Sequence, residues 1–174
     1  MEKLTPEQAI FLMRISVPML KSEHLTTKRV IKAIPLDKGD YRPEPVAKSA
    51  FDLAAHIASA ENLFLNGIAS GGFDFTIKMP ESIRNSADIA AWYDETFEKN
   101  LSRLQALSAE QLMKVIDFRG RMQWPAVEFV PLTVNHVIHH RGQLSTYLRP
   151  MGSKVPSIYG ESYDDAQARL AAQA

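Results

Sequence analysis

The sequence predicts an all-α protein, a four-helix bundle built as one domain over residues 1–174. Two observations support this fold class. Apolar residues recur with the helical period in four long segments that proline, glycine and capping residues separate. Only one short stretch alternates polar and apolar residues, which is too little to make a sheet. The length, the hydrophobic fraction of 45% and the charged fraction of 23% are those of one ordinary globular domain.

The N-terminal segment predicts two helices in succession. Thr5 can cap a short helix near residues 5–14. Pro18 interrupts the helical pattern, and Ser16 just before it can cap a fresh start. The first long helix is therefore expected over about 17–33, which places an extra short helix at the N-terminus of the bundle.

Two more long helices are predicted in the middle of the chain. The second spans about 48–69 and stops at a pair of glycines, and the third spans about 87–106. Between them, residues 73–79 alternate polar and apolar side chains and predict an isolated extended piece.

The C-terminal third predicts the last long helix and two short ones. A capped short helix is expected over 108–115, followed by a connection with little periodicity to residue 124. The last long helix spans about 126–148, and Pro131 either kinks it or makes its regular part begin near residue 130. A loop and a short terminal helix complete the chain.

The segment 135–143 contains three of the five histidines in the chain. His136 and His140 are four residues apart, so they share one face of a helix and can reach one metal ion. If the second and last long helices pack together, His56 supplies a third nitrogen, and three protein ligands leave a coordination position open. The alternative is a surface pair, or a core pair satisfied by other groups. His139 points about 100° away from this face and is not an expected ligand.

Several other polar side chains are candidates for supporting roles. Asp52 precedes His56 by one helical turn and could orient its ring, and Glu61 is less well aligned; both carboxylates could equally be solvated helix residues. Arg141 and Gln143 could act at the site, pack at a helix end or contact a second copy. Three tyrosines could line or close the site or belong to the core: Tyr147, Tyr159 and Tyr163.

Composition limits the classes of function. Twenty basic and twenty acidic residues give a formal charge of zero, which argues against a nucleic-acid partner. The absence of cysteine excludes disulfides, thiolate ligands and a cysteine nucleophile from this chain. The first residues do not form a signal-peptide pattern, and apolar runs stay well short of 18 residues, so a cytoplasmic protein without a membrane partner is expected.

Several blocks of the sequence resemble the DinB family. They include Leu-Ala-Ala-His-Ile at 53–57, His-Val-Ile-His-His-Arg-Gly-Gln-Leu at 136–144 and Arg-Pro-Met-Gly at 149–152. Residues 156–160 and the segment 27–43 also resemble this family. The spacing His-x-x-x-His followed by Arg-Gly-Gln is the most specific of these motifs.

The resemblance implies a bundle with an up-down-down-up helix order that forms a homodimer. It also implies a divalent transition metal held by His56, His136 and His140. Imidazole suits zinc, nickel, iron and copper alike, so the sequence leaves the ion open; zinc, nickel or iron is the expectation. Relatives that share the bundle are thiol-dependent transferases or isomerases, and the family name refers to DNA-damage induction.

A divalent ion on three imidazoles predicts one of two chemistries. It can lower the pKa of bound water to about 7, or bind an external thiol as the thiolate. The sequence therefore predicts a metal-dependent enzyme acting on a small molecule, with a thiol-dependent S-transferase using a low-molecular-weight thiol as its sharpest form. A metal-dependent hydrolase and a non-catalytic metal-binding stress-response protein remain as alternatives.

Overall fold

The computed structural model describes residues 4–173 and is built mainly from helices. Four of its α-helices are long, and two short helices and one hairpin accompany them. In chain order the elements are α1 (Pro6–Lys32), α2 (Ala50–Ser70), α3 (Ser86–Gln105), α4 (Ala109–Met113), β1 (Val115–Phe118), β2 (Met122–Pro125), a 3₁₀ turn (Ala126–Glu128), α5 (Phe129–Leu148) and α6 (Tyr163–Ala171).

The long helices form a ring in which α1 and α2 each pack against both α3 and α5. Helices α1 and α3 run in opposite directions. The ring of His24 stacks on Phe97, whereas the hydroxyl of Ser86, at the start of α3, donates to the carbonyl of Ile34, just beyond α1. The two helices are therefore antiparallel.

Helices α2 and α3 run in the same direction. Glu61 accepts a hydrogen bond from Tyr93, and further along both helices Asn66 accepts one from Arg103. Since α3 opposes α1, α2 opposes α1 as well.

Helix α5 runs parallel to α1. Arg141 contacts Glu23 in the middle of the pair, and Ser153, beyond the end of α5, donates to the carbonyl of Ala33, beyond the end of α1. The four directions confirm the up-down-down-up order that the resemblance implies.

Helix α1 differs from its prediction. It is one continuous helix of 27 residues with Pro18 inside it, so the separate short helix expected near residues 5–14 is wrong. The pyrrolidine ring lies on the exposed side, while Met13, Ser16 and Leu20 on either side of it are buried. Packing of the flanking turns keeps the helix whole although Pro18 cannot donate its backbone hydrogen bond.

The connection after α4 contains a hairpin that the sequence did not predict. Strands β1 and β2 pair antiparallel, with Ile116 opposite Trp124. Three residues, 119–121, connect the strands, and the backbone N–H of Arg121 donates to the carbonyl of Phe118. The two central residues of this turn, Arg119 and Gly120, have positive φ, at 56° and 69°, as a type I′ turn requires. Residues 73–79 form no strand pairing, as expected of a piece too isolated to make a sheet, but a turn at residues 75–76 interrupts the extended piece predicted there.

The remaining helices match the sequence more closely. Helix α5 begins at Phe129, so Pro131 lies in its first turn, where a backbone N–H has no partner within the helix. This outcome agrees with the alternative in which the regular helix begins near residue 130. Helices α2 and α3 begin and end within two residues of their predicted bounds, and α6 is the predicted short terminal helix.

Two clusters of buried apolar side chains fill the bundle. One lies towards the end where α1 and α5 finish, and includes Val30, Ile57 and Leu144. The other lies towards the hairpin and includes Leu65 and Phe129. Within residues 4–173 no helix is both long and apolar enough to cross a bilayer.

Candidate metal centre

Two helices that face each other carry the three histidines identified in the sequence. His56 lies on α2, about two turns after its N-cap Ser49, whose hydroxyl accepts from the backbone N–H of Asp52. His136 and His140 lie one turn apart on α5. Because α2 and α5 pack directly against each other, the structure brings all three rings to one place between them.

The ring nitrogens converge. Nε2 of His56 lies 3.1 Å from Nε2 of His140. Each of the three residues offers one nitrogen, and these atoms all lie within 4.8 Å of one another. The ring centroids are 5.1, 4.5 and 4.4 Å apart. The group could therefore hold a metal ion.

Burial keeps two of the rings neutral. Burial, followed by the neighbouring rings of His140 and His56, lowers the pKa of His136 from its usual 6.5 to about 4. Burial also lowers the pKa of His56, followed by the effects of His140 and of Lys48. Neutral imidazoles keep the lone pairs that a metal ion requires.

One buried atom of this group has unused bonding capacity. Nδ1 of His136 is the buried side-chain nitrogen or oxygen that lacks a hydrogen-bond partner among residues 4–173. Leaving such a group unpaired costs about 1–3 kcal/mol. Three imidazoles, one of which has a ring nitrogen without a hydrogen-bond partner, form a donor set that suits a transition metal.

Neither carboxylate considered from the sequence contacts the histidine group. Asp52 accepts from Arg42 at 3.1 Å and lies on the exposed side of α2, so its role in orienting His56 is not supported. Glu61 is buried on another side of α2, where it accepts from His24 at 2.9 Å and from Tyr93 at 2.7 Å. It is therefore neither a solvated helix residue nor part of the candidate metal centre.

Arg141 and Gln143 have separate roles although they are close in sequence. The guanidinium of Arg141 is buried and donates to Glu23 at 2.6 Å, and also to the hydroxyl of Tyr159 at 2.7 Å. Gln143 is exposed, and its Oε1 lies 2.7 Å from Nδ1 of His140. His139 is exposed beside it and lies outside the converging group.

The three tyrosines lie apart from the converging nitrogens. Tyr147 is buried against Tyr41, and Tyr163 lies near the guanidinium of Arg149 on the surface. The hydroxyl of Tyr159 also donates to Glu23 at 3.0 Å, so this residue attaches the C-terminal tail to the buried ion pair.

Sequence reasoning missed the buried polar cluster around His24. Its ring lies between Glu61 and Asp94, at 2.9 and 3.3 Å, and Lys28 donates to the same Asp94. The partners are 37 and 70 residues from His24 in the chain, and no spacing in the sequence connects them.

The model of the DinB family matches residues 16–173. The chain belongs to the DinB family. The match includes all three histidines of the candidate metal centre.

Two relatives from Bacillus subtilis are similar in sequence. YjoA is 31% identical over 134 residues, which cover 75% of this chain and 85% of YjoA. YrdA is 29% identical over 106 residues, which cover 57% of this chain and 62% of YrdA.

Two crystal structures are similar in fold. The DinB-like protein YjoA superposes with a TM-score of 0.71 at 28% identity, covering 84% of this chain and 99% of that structure. A DinB-like protein from Bacillus cereus superposes with a TM-score of 0.70 at 23% identity, covering 91% and 100%, and supports the fold alone.

Proposed function

We propose that this DinB-family protein binds a divalent transition metal through His56, His136 and His140, and that it is a metal-dependent enzyme acting on a small molecule. The observation that carries the proposal is the convergence of three imidazole nitrogens from two facing helices. Aspartate, glutamate and cysteine do not join this group among the described residues. Zinc, nickel or iron suits such a donor set.

The chemistry follows from the charge and the number of the ligands. A bound divalent ion supplies a Lewis acid that lowers the pKa of a water or thiol at its open position. Neutral imidazoles leave the positive charge of the ion uncompensated, and a set of three leaves room for an external ligand. Helices α2 and α5 hold the three rings on rigid elements, which favours a preformed site.

The most specific form of the proposal is a transferase that uses a low-molecular-weight thiol. The chain contains no cysteine, so a thiolate at the site would come from a separate molecule. A metal-dependent hydrolase would use water at the same position. A non-catalytic metal-binding stress-response protein would bind the ion without turnover, and a bulky side chain or further ligand would then block the open position.

Cobalt substitution separates these possibilities. The cobalt-loaded protein is titrated with small thiols while the sulfur-to-metal charge-transfer band is followed, and thiol–electrophile pairs are then tested for turnover. The transferase predicts both the band and turnover. A protein that binds cobalt but yields neither would exclude the transferase and leave hydrolysis or simple metal binding. A protein that binds no divalent ion would overturn the metal site itself.

We also propose that two copies of the chain associate through one face of α1. Five large apolar side chains on this helix are between 44% and 55% exposed, which is unusual for a surface helix. We call them the α1 apolar face: Ile10, Phe11, Ile15, Met19 and Leu25. A formal net charge of zero does not oppose the association of identical chains.

A further inference from the structure

The side chain of Gln143 lies between two histidines of α5. Its Oε1 is 2.7 Å from Nδ1 of His140, and its Nε2 is 3.3 Å from Nε2 of His139. His139 and His140 lie on one turn of the helix, and Gln143 lies one turn further on, since it follows them by four and three residues. One amide thus contacts a candidate ligand and a non-ligand together.

The two contacts determine where the protons lie. An amide oxygen only accepts hydrogen bonds, so Nδ1 of His140 carries the proton and donates to Gln143. In a neutral ring Nε2 is then unprotonated, and its lone pair is available on the side where Nε2 of His56 lies 3.1 Å away. The amide NH₂ in turn donates to Nε2 of His139.

His139 fixes the orientation of the amide. If the amide of Gln143 rotated by half a turn, its NH₂ would meet Nδ1 of His140 and favour the opposite tautomer. With its Nε2 unprotonated, His139 accepts from the amide NH₂, and the rotated amide would place two acceptors, its oxygen and this nitrogen, against each other. His140 therefore donates to Gln143, and Gln143 donates to His139.

We propose that Gln143 is a positioning residue for His140 and that His139 orients Gln143, so that Nε2 of His140 is presented unprotonated to the metal. This inference rests on the proposed metal site. Histidines that bind metals generally donate their other N–H to an oxygen acceptor, which fixes the tautomer and raises the basicity of the ring.

The exposure of Gln143 and His139 distinguishes a positioning role at the metal site from a packing role in the core. Gln143 and His139 are both exposed, so they contribute little to the core. Replacing either one should therefore leave the melting temperature of the metal-free protein nearly unchanged. A loss of metal affinity without a loss of stability is the expected signature of positioning.

The first measurement is metal affinity, determined with Co²⁺ or Zn²⁺ in competition with a chelator. Gln143→Leu removes the acceptor and should weaken binding by about 10–100-fold. Gln143→Glu keeps an oxygen acceptor at the same distance along the side chain and should retain the affinity to within about threefold. Gln105→Leu makes the same amide-to-apolar change at an exposed position of α3 and should change nothing.

The second measurement uses the metal-free protein, so it does not depend on metal binding. Two-bond ¹H–¹⁵N NMR spectra of the imidazole rings should show the Nδ1–H tautomer of His140 in the unmodified chain. Gln143→Leu should shift His140 towards Nε2–H, and His139→Leu should give a smaller shift in the same direction.

The outcomes are distinguishable. Unchanged affinity and an unchanged tautomer in Gln143→Leu would overturn the role of Gln143, and so would an equal loss of affinity in Gln143→Glu. No change in the tautomer with His139→Leu would overturn the role of His139. If the unmodified chain binds no ion, the proposed function fails, while the tautomer of His140 still decides whether Gln143 positions it.

Discussion

His56 and His140 approach each other through their Nε2 atoms, 3.1 Å apart, although 84 residues separate them in the chain. Two imidazole lone pairs at this distance repel unless a proton or a cation lies between them. Two nitrogens bound to one tetrahedral ion at about 2.0–2.1 Å would be about 3.3 Å apart, close to the separation found here. The contact between α2 and α5 is thus compatible with a shared metal ion.

Alanine substitution of each histidine should identify the ligands. We expect His56→Ala, His136→Ala and His140→Ala to lower metal stoichiometry sharply, because each removes one of three nitrogens. His139→Ala keeps all three nitrogens and should leave the stoichiometry near that of the unmodified chain. Elemental analysis of protein purified without added metal measures these values.

Stability of the metal-free protein should fall as the pH decreases from about 6.5 to about 4. Burial, followed by the neighbouring histidine rings, lowers the pKa of His136 from 6.5 to about 4, so in this range the unfolded chain takes up a proton that the folded chain does not. The lowered pKa of His56 acts in the same direction. The loss assigned to His136 is of the order of 1–2 kcal/mol, because the ring is only half-buried.

Urea denaturation at several pH values, with a chelator present, measures this effect. Other groups also titrate in acid, so the informative quantity is the difference between the unmodified chain and His136→Gln, which cannot take up this proton. The variant should show a shallower decrease between pH 6.5 and 4. Equal slopes would mean that His136 is not held neutral by the fold.

The helices that carry the candidate metal centre could be predicted from sequence because their determinants are local. The helical period places His136 and His140 on one face whatever the rest of the fold does. Gly71 has φ of 69° as the C-cap of α2, which matches the glycine stop expected there. His56 could be added only by assuming that α2 and α5 are neighbours, and the structure shows that they are.

The features that could not be predicted depend on contacts between distant parts of the chain. Pro18 suggested a break, but burial on the opposite side of α1 keeps the helix continuous. Glu61 appeared to be a solvated or site carboxylate, whereas His24 and Tyr93 hold it inside the bundle. The turn at Gly120 was the one local signal of the hairpin, and its strands of four residues are too short to show a clear period.

Breaking the buried ion pair between Arg141 and Glu23 should be costly. Arg141→Met should lower the free energy of unfolding by about 3–5 kcal/mol, because it leaves the carboxylate of Glu23 without its charge partner inside the bundle. The double variant that also carries Glu23→Leu should recover much of this loss. Urea denaturation of the metal-free proteins gives both values.

A surface pair of the same chemistry provides the control. Arg149 is about half exposed where it pairs with Asp164 at 3.0 Å, so Arg149→Met should cost about 1 kcal/mol or less. Similar losses for Arg141→Met and Arg149→Met would show that burial of the first pair does not matter.

A charge placed in the middle of the α1 apolar face should separate the proposed dimer. The face extends from Ile10 to Leu25, about 22 Å along the helix, and Ile15 lies near its centre. A lysine there would have to be buried without a partner, so Ile15→Lys should weaken the dimer by about 2–3 kcal/mol, or roughly 30–150-fold in Kd. Sedimentation velocity at micromolar concentrations should show a dimer for the unmodified chain and a monomer for this variant.

Leu36→Lys makes an equivalent change at a leucine that is 68% exposed beyond the end of α1, and it should remain dimeric. A monomeric unmodified chain would refute association, whereas a dimer that survives Ile15→Lys would assign it to a different surface.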